Sequence, residues 1–170
     1  MYTFDNYELG RTDDGVTIES RDENRFATIK MVQQSRNSIE IISRELDSHI
    51  YDTQEFIDAV RRLVLENNHA RVRIIVLDTK VIIKQSHRLV NLAMDLSTFI
   101  HIRRPGIEHS GFNEAIFLAD GYGYIHRLKS DRYGGTVNFN DGRTTRHLQN
   151  RFNEMWAKSL SDVNLRKLHI

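Results

Sequence analysis

The chain has no cysteine among its 170 residues. Disulfides, thiolate metal centres and cysteine nucleophiles are therefore excluded. Long apolar runs are missing too: no stretch approaches the ~20 residues of a membrane helix. Met1 to Gly10 carry Asp5 and Glu8 and no apolar segment, so no signal peptide is expected and a cytoplasmic location is the default. The sequence contains no GxGxxG, P-loop, GxSxG or HExxH pattern, and its eight histidines show no ligand spacing. Neither a metal nor a cofactor is expected.

What is present is ordinary for a globular protein: 39% hydrophobic and 28% charged residues. The length suits one α/β domain over residues 21–170, preceded by an N-terminal arm over residues 1–20. The net charge is +1 but unevenly spread. Met1 to Asn24 hold seven acidic residues against two arginines, and Val60 to Pro105 hold nine lysines and arginines against three acids. A basic surface facing phosphate groups or an acidic partner is one reading, solvated helix faces the other.

Periodicity gives the elements. Ser20 with Glu23 is a capping-box signal for a helix through Phe26, Ile29 and Val32. Ser38 to Ile42 reads as a strand, Thr53 to Asn67 as a helix, and Val72 to Leu77 as a strand buried on both faces. Ser86 to Leu96 is helical, and Phe99 to Ile102 is a third strand. This alternation implies three parallel strands with crossover helices. After Pro105 the style changes. Ala115 to Ala119 and Tyr122 to Arg127 form a hairpin around Asp120-Gly121. Thr136 to Phe139 follows as a strand, and a last helix starts at Asp141 or Thr144. The expected fold is mixed α/β, with a largely parallel central sheet flanked by helices.

Ligands of open α/β sheets bind beyond the carboxyl ends of the strands. Arg44 follows the first of those ends, and Arg103 and Arg104 close the third. Guanidinium forks there suit a phosphate or carboxylate.

The second half carries a resemblance. Asn113-Glu114-Ala115-Ile116-Phe117-Leu118-Ala119-Asp120-Gly121 has the frame of the HxKxxxxD motif of the phospholipase D superfamily. Gly135-Thr136-Val137-Asn138 is similar to that family's GSxN element, displaced by about eight residues. The last helix, with Leu148, Phe152 and Trp156, resembles the family's terminal helix, and the similarity runs from Phe26 to Trp156. It implies a single phospholipase D-like half, of the kind found as bacterial domains, with a degenerate motif.

The family cleaves phosphodiesters through a histidine nucleophile, with a lysine holding the phosphoryl oxygens, and needs two motif copies. Here Asn113 stands at the histidine position, and an amide cannot attack phosphorus at useful rates. Ala115 stands at the lysine position and offers no charge. The resemblance therefore implies a non-catalytic module that binds a phosphate-bearing ligand or a protein partner. Its candidate contacts are Arg44, Arg103, Arg104, Asn113, Asp120 and Asn138. One alternative is a phosphodiesterase in which His101, His109 or His126 replaces the nucleophile and Asp120 orients it. Another is a structural homodimer that uses Tyr122, Tyr124 and Tyr133.

Overall fold

The computed structural model describes residues 1–167. In chain order it holds β1 (Val16–Ile18), α1 (Arg21–Gln34), β2 (Ser38–Ser43), α2 (Ser48–Tyr51), α3 (Gln54–Glu66), β3 (Arg71–Val76), α4 (Lys80–Lys84) and α5 (Arg88–Asp95). These are followed by β4 (Ile100–Arg103), β5 (Ala115–Ala119), β6 (Gly123–Arg127), β7 (Gly135–Asn138), α6 (Gly142–Lys158) and α7 (Val163–Lys167). The strands form one sheet in the order β1-β7-β6-β5-β2-β3-β4.

The sheet is mixed. β2, β3 and β4 run parallel, as the alternation of helix and strand requires. The pairings β2–β5, β5–β6, β6–β7 and β1–β7 are antiparallel. The parallel part is thus confined to one half: after Pro105 the chain passes β3 and β2 to set β5 antiparallel beside β2, and β6 and β7 follow as antiparallel neighbours.

Two cores result. Ile39, Ile41, Val72, Ile74, Ile100, Phe117 and Ile125 face α1, α3 and α5. Ile42, Ile75, Ile116, Leu118 and Tyr124 lie on the other face beneath Leu148, Phe152 and Met155 of α6. The period-two alternation of each strand sorts its residues between these cores.

Capping fixes the helix starts. The Ser20 hydroxyl accepts from Glu23 N at 3.0 Å, and Glu23 accepts in return from Ser20 N, so the expected box is formed. Thr53 caps α3 by accepting from Phe56 N. Asp141 caps α6 by accepting from Thr144 N.

The N-terminal segment differs from a simple extended arm. Phe4 is buried and stacks on Phe139 with centroids 5.7 Å apart. Val16–Ile18 adds to the sheet edge beside β7. Three residues carry too little alternation to announce a strand. The short helices α2, α4 and α7, likewise unannounced, span only four or five residues each.

Candidate anion site on the motif face

The site lies where β2 ends and β5 begins. Because β5 runs antiparallel to β2, with Ile42 paired to Ile116, residues just before β5 meet residues just after β2. Arg44 Nε donates to Ser130 Oγ at 2.8 Å, and Arg44 Nη2 donates to Asn113 Oδ1. Ser130 Oγ donates to the same Asn113 oxygen at 2.6 Å. Arg44 and Asn113, both expected as contacts, are thus brought together, with Ser130 as their shared partner.

The hairpin register adds a residue that motif reasoning missed. Ala115 pairs with Arg127, so the two side chains leave the same face of adjacent strands. Arg127 is 8% exposed, and its Nη2 donates to the Ser130 carbonyl at 2.9 Å. Its Nε is buried without a hydrogen-bond partner, and its guanidinium lies 5.4 Å from the centroid of Tyr133. Among the described residues no carboxylate lies within ion-pair distance of Arg44 or Arg127, which converge on Ser130, although the adjoining cleft also carries Glu45, Asp47, Asp52 and Asp131. The Asp120-Gly121 reversal sets this register and was the available signal. Both residues are left-handed, with φ of 55° and 72°, which permits the tight return.

Beside this cluster opens a cleft of about 630 Å³, lined in part by Arg44, Asp47, Ile82, His87 and Tyr133. Asp47 is occupied: it caps α2 by accepting from His49 N and accepts from the Tyr133 hydroxyl at 2.5 Å. Leu46 is held in the left-handed region, with φ of 56°. Its N–H donates to Ser43 Oγ, and its carbonyl accepts from His87 Nε2 at 2.9 Å. His87 Nδ1 accepts from Leu89 N, which fixes the neutral tautomer with the proton on Nε2. Burial, the largest effect on this imidazole, lowers its pKa and keeps it uncharged.

The other expected contacts lie elsewhere. Asp120 is at the far end of β5, where its carboxylate accepts from the N–H groups of Arg36, Asn37 and Ser38 at 2.8, 2.8 and 3.0 Å. Asn138 pairs with Tyr124 near that same end and donates to the Asp13 carbonyl. The strand between them and Asn113 separates both from the anion cluster. Arg103 lies on the α6 face with its guanidinium 4.3 Å from the Trp156 centroid. Arg104 is exposed, and its backbone pairs with Leu160.

The histidines do not rebuild a nucleophile beside Asp120. His126 Nε2 lies 2.6 Å from Glu114 Oε1, on the opposite sheet face from Ala115. Arg151 also holds Glu114, and its hydrogen bond is the largest cause keeping that carboxyl below its ordinary pKa. His101 contacts the Thr98 carbonyl, and His109 Nδ1 is buried without a partner. Of the three tyrosines, Tyr124 is buried and Tyr133 is tied to Asp47, while Tyr122 is exposed.

A family model described as "Domain of unknown function (DUF7931)" matches residues 20–168. The chain belongs to the DUF7931 family. No curated protein matches this DUF7931 chain. Among solved structures it is similar to TrmBL2, an archaeal chromatin protein whose structure shows a novel mode of DNA binding. The TM-score is 0.64 at 18% identity, covering 91% of this chain and 55% of that one. The DUF7931 chain therefore spans about half of TrmBL2. NucT from Helicobacter pylori aligns with a TM-score of 0.58 at 12% identity over 88% of this chain and 99% of its own. The phospholipase D family member Nuc from Salmonella typhimurium gives 0.55 at 13% identity over the same shares. The fold is phospholipase D-like. No helix among the described residues is long and apolar enough to cross a membrane.

Proposed function

We propose that this DUF7931 domain is a non-catalytic phospholipase D-like module that grips a phosphate-bearing ligand on its motif face. The observation that carries the reading is the convergence of Arg44 and Arg127 on Ser130 with no carboxylate in ion-pair contact among the described residues. Arg127, one strand over, supplies the positive charge that Ala115 lacks, while Asn113 provides no nucleophile. Charge is retained and the attacking group is absent, a combination that favours holding a phosphate over breaking its ester. Asp120 and Asn138 serve as fasteners at the opposite end of the strands. TrmBL2 is described as binding DNA, and the shared fold makes a nucleic-acid phosphate one ligand to test at this face.

Titration with inorganic phosphate, followed by backbone amide shifts, tests the reading. Two guanidiniums imply a Kd on the order of 1 mM. The expected result is perturbation centred on Arg44, Asn113 and Arg127 to Ser130, with about tenfold weaker binding in Arg44→Gln and in Arg127→Gln. Arg44 is partly exposed, so its variant remains informative if the buried Arg127 variant misfolds. Unchanged affinity in Arg44→Gln, or perturbation confined to another surface, would overturn the assignment.

A further inference from the structure

The α6 face of the sheet is covered unevenly, and polar side chains gather at its β3–β4 end. α6 packs across β2, β5 and β6, and its apolar side chains close over Ile42, Ile75, Ile116, Leu118 and Tyr124. On β3 and β4 the same face carries Arg71, Arg73, His101 and Arg103. The register pairs Arg73 with His101 and Ile75 with Arg103, so these side chains project together. They account for much of the basic excess between Val60 and Pro105.

Arg73, His101 and Arg103 are half-buried beside α6, and Arg71 is exposed. Arg73 lies 5.0 Å from the Phe152 centroid and 5.6 Å from that of Trp156, and Arg103 lies 4.3 Å from Trp156. Arg73 Nη2 donates to Asn153 Oδ1 at 3.1 Å, Arg103 Nη1 to Ser159 Oγ at 3.5 Å, and Arg71 Nη1 to the Asn68 and Ala70 carbonyls, which leaves the remaining guanidinium donors for an oxyanion. Arg71 is exposed and stacks on Phe99. Glu40 touches Arg73 at 3.7 Å and is the one carboxylate in ion-pair contact with this group among the described residues. Along each strand the alternate side chains repeat at about 6.6 Å, and neighbouring strands lie about 4.8 Å apart. The result is a cationic strip alongside α6.

We infer that this cationic end of the face is a docking strip for single-stranded nucleic acid, bound through its phosphate backbone without base reading. Charge complementarity selects a polyanion. The guanidinium-rich composition favours phosphate, which a planar fork binds bidentately. Arg73 and Arg103 lie low against Phe152 and Trp156 of α6, a setting more open to a flexible single strand than to a rigid duplex. The strip is independent of the Arg44–Arg127 cluster and lies on the other side of the sheet.

The probe is a fluorescein-labelled single-stranded 20-nucleotide oligonucleotide, followed by anisotropy and by emission of Trp156, the only tryptophan in the chain. Binding is expected to change Trp156 emission as Arg103 moves against the indole. With about three phosphates neutralised, log K should fall with log salt at a slope near −2. Arg71→Gln with Arg103→Gln should weaken binding at least tenfold and flatten that slope. Arg61→Gln, a charge control on α3 at the opposite face, should not. The inference is overturned if the strip variant binds as tightly as the Arg61 control. It is also overturned if Arg44→Gln abolishes oligonucleotide binding while the strip variant keeps it, or if labelled polyglutamate binds equally well with the same salt slope.

Discussion

Ala115 lies directly opposite Arg127 across the β5–β6 ladder, and both are 8% exposed. The position that resembles the phospholipase D lysine is therefore adjacent to a buried guanidinium without a carboxylate. Restoring lysine there places two positive charges side by side in a poorly hydrated site. Ala115→Lys should destabilise the domain by about 2–4 kcal/mol. Combining it with Arg127→Leu should recover at least half of that loss, because one charge is then removed. Urea unfolding of the single and double variants checks the coupling, and additive costs would contradict it.

Glu40 provides a pH-dependent prediction. It is 2% exposed, Oε1 has no hydrogen-bond partner, and burial, the largest cause, pushes its pKa from 4.5 up to about 7 against the pull of Arg73. A raised folded-state pKa means the fold prefers the protonated acid. That preference is fully expressed below pH 4.5 and is lost as pH rises through about 7. Glu40→Gln should match the parent in stability near pH 4. Its advantage should grow through pH 5 to 7 and level off above, at no more than about 3 kcal/mol. Denaturant midpoints at pH 4, 6 and 8 measure this, and a gap independent of pH would refute the assignment.

Asp120 fastens the turn at the opposite end by accepting from three consecutive backbone donors. Asp120→Ala removes a charged acceptor from all three. It should cost about 2 kcal/mol and lower Tm by about 4–8 °C. Phosphate affinity at the motif face should stay unchanged. Differential scanning calorimetry together with the phosphate titration separates these outcomes.

Gly135 opens β7 beside the end of β6. A Cβ there would meet the His126 carbonyl oxygen at 2.5 Å and Arg127 Cγ at 2.9 Å. Backbone cannot yield as a flexible side chain does, so Gly135→Ala should destabilise by about 1–3 kcal/mol. It should also displace Arg127 and weaken phosphate binding. Gly142→Ala, where no atom lies within 4 Å of the added carbon, is the neutral control.

Much of the architecture was legible because it rests on local patterns. The capping box at Ser20, the buried run of β3 and the Asp120-Gly121 reversal each specify their element through nearby residues. The edge pairing of Val16–Ile18 was not legible, because a three-residue strand is defined by its partner. Arg44 and Asn113 meet in space, since strand ends and the motif frame both point to the same corner. Asp120 and Asn138 were grouped with them by motif position alone. The motif spans the length of β5, so its first and last residues lie at opposite ends of the strand. Arg127 was overlooked because its role arises from cross-strand register rather than from its own neighbourhood.

The most direct measurement is a phosphorus-31 NMR titration of a simple phosphodiester, such as dimethyl phosphate, held with the protein for several days. Binding and cleavage are then read from one spectrum. The account predicts that the diester resonance shifts or broadens in a manner dependent on Arg44 while its integrated intensity stays constant. A growing phosphomonoester resonance that tracks protein concentration, or a diester signal indifferent to the protein, would contradict it.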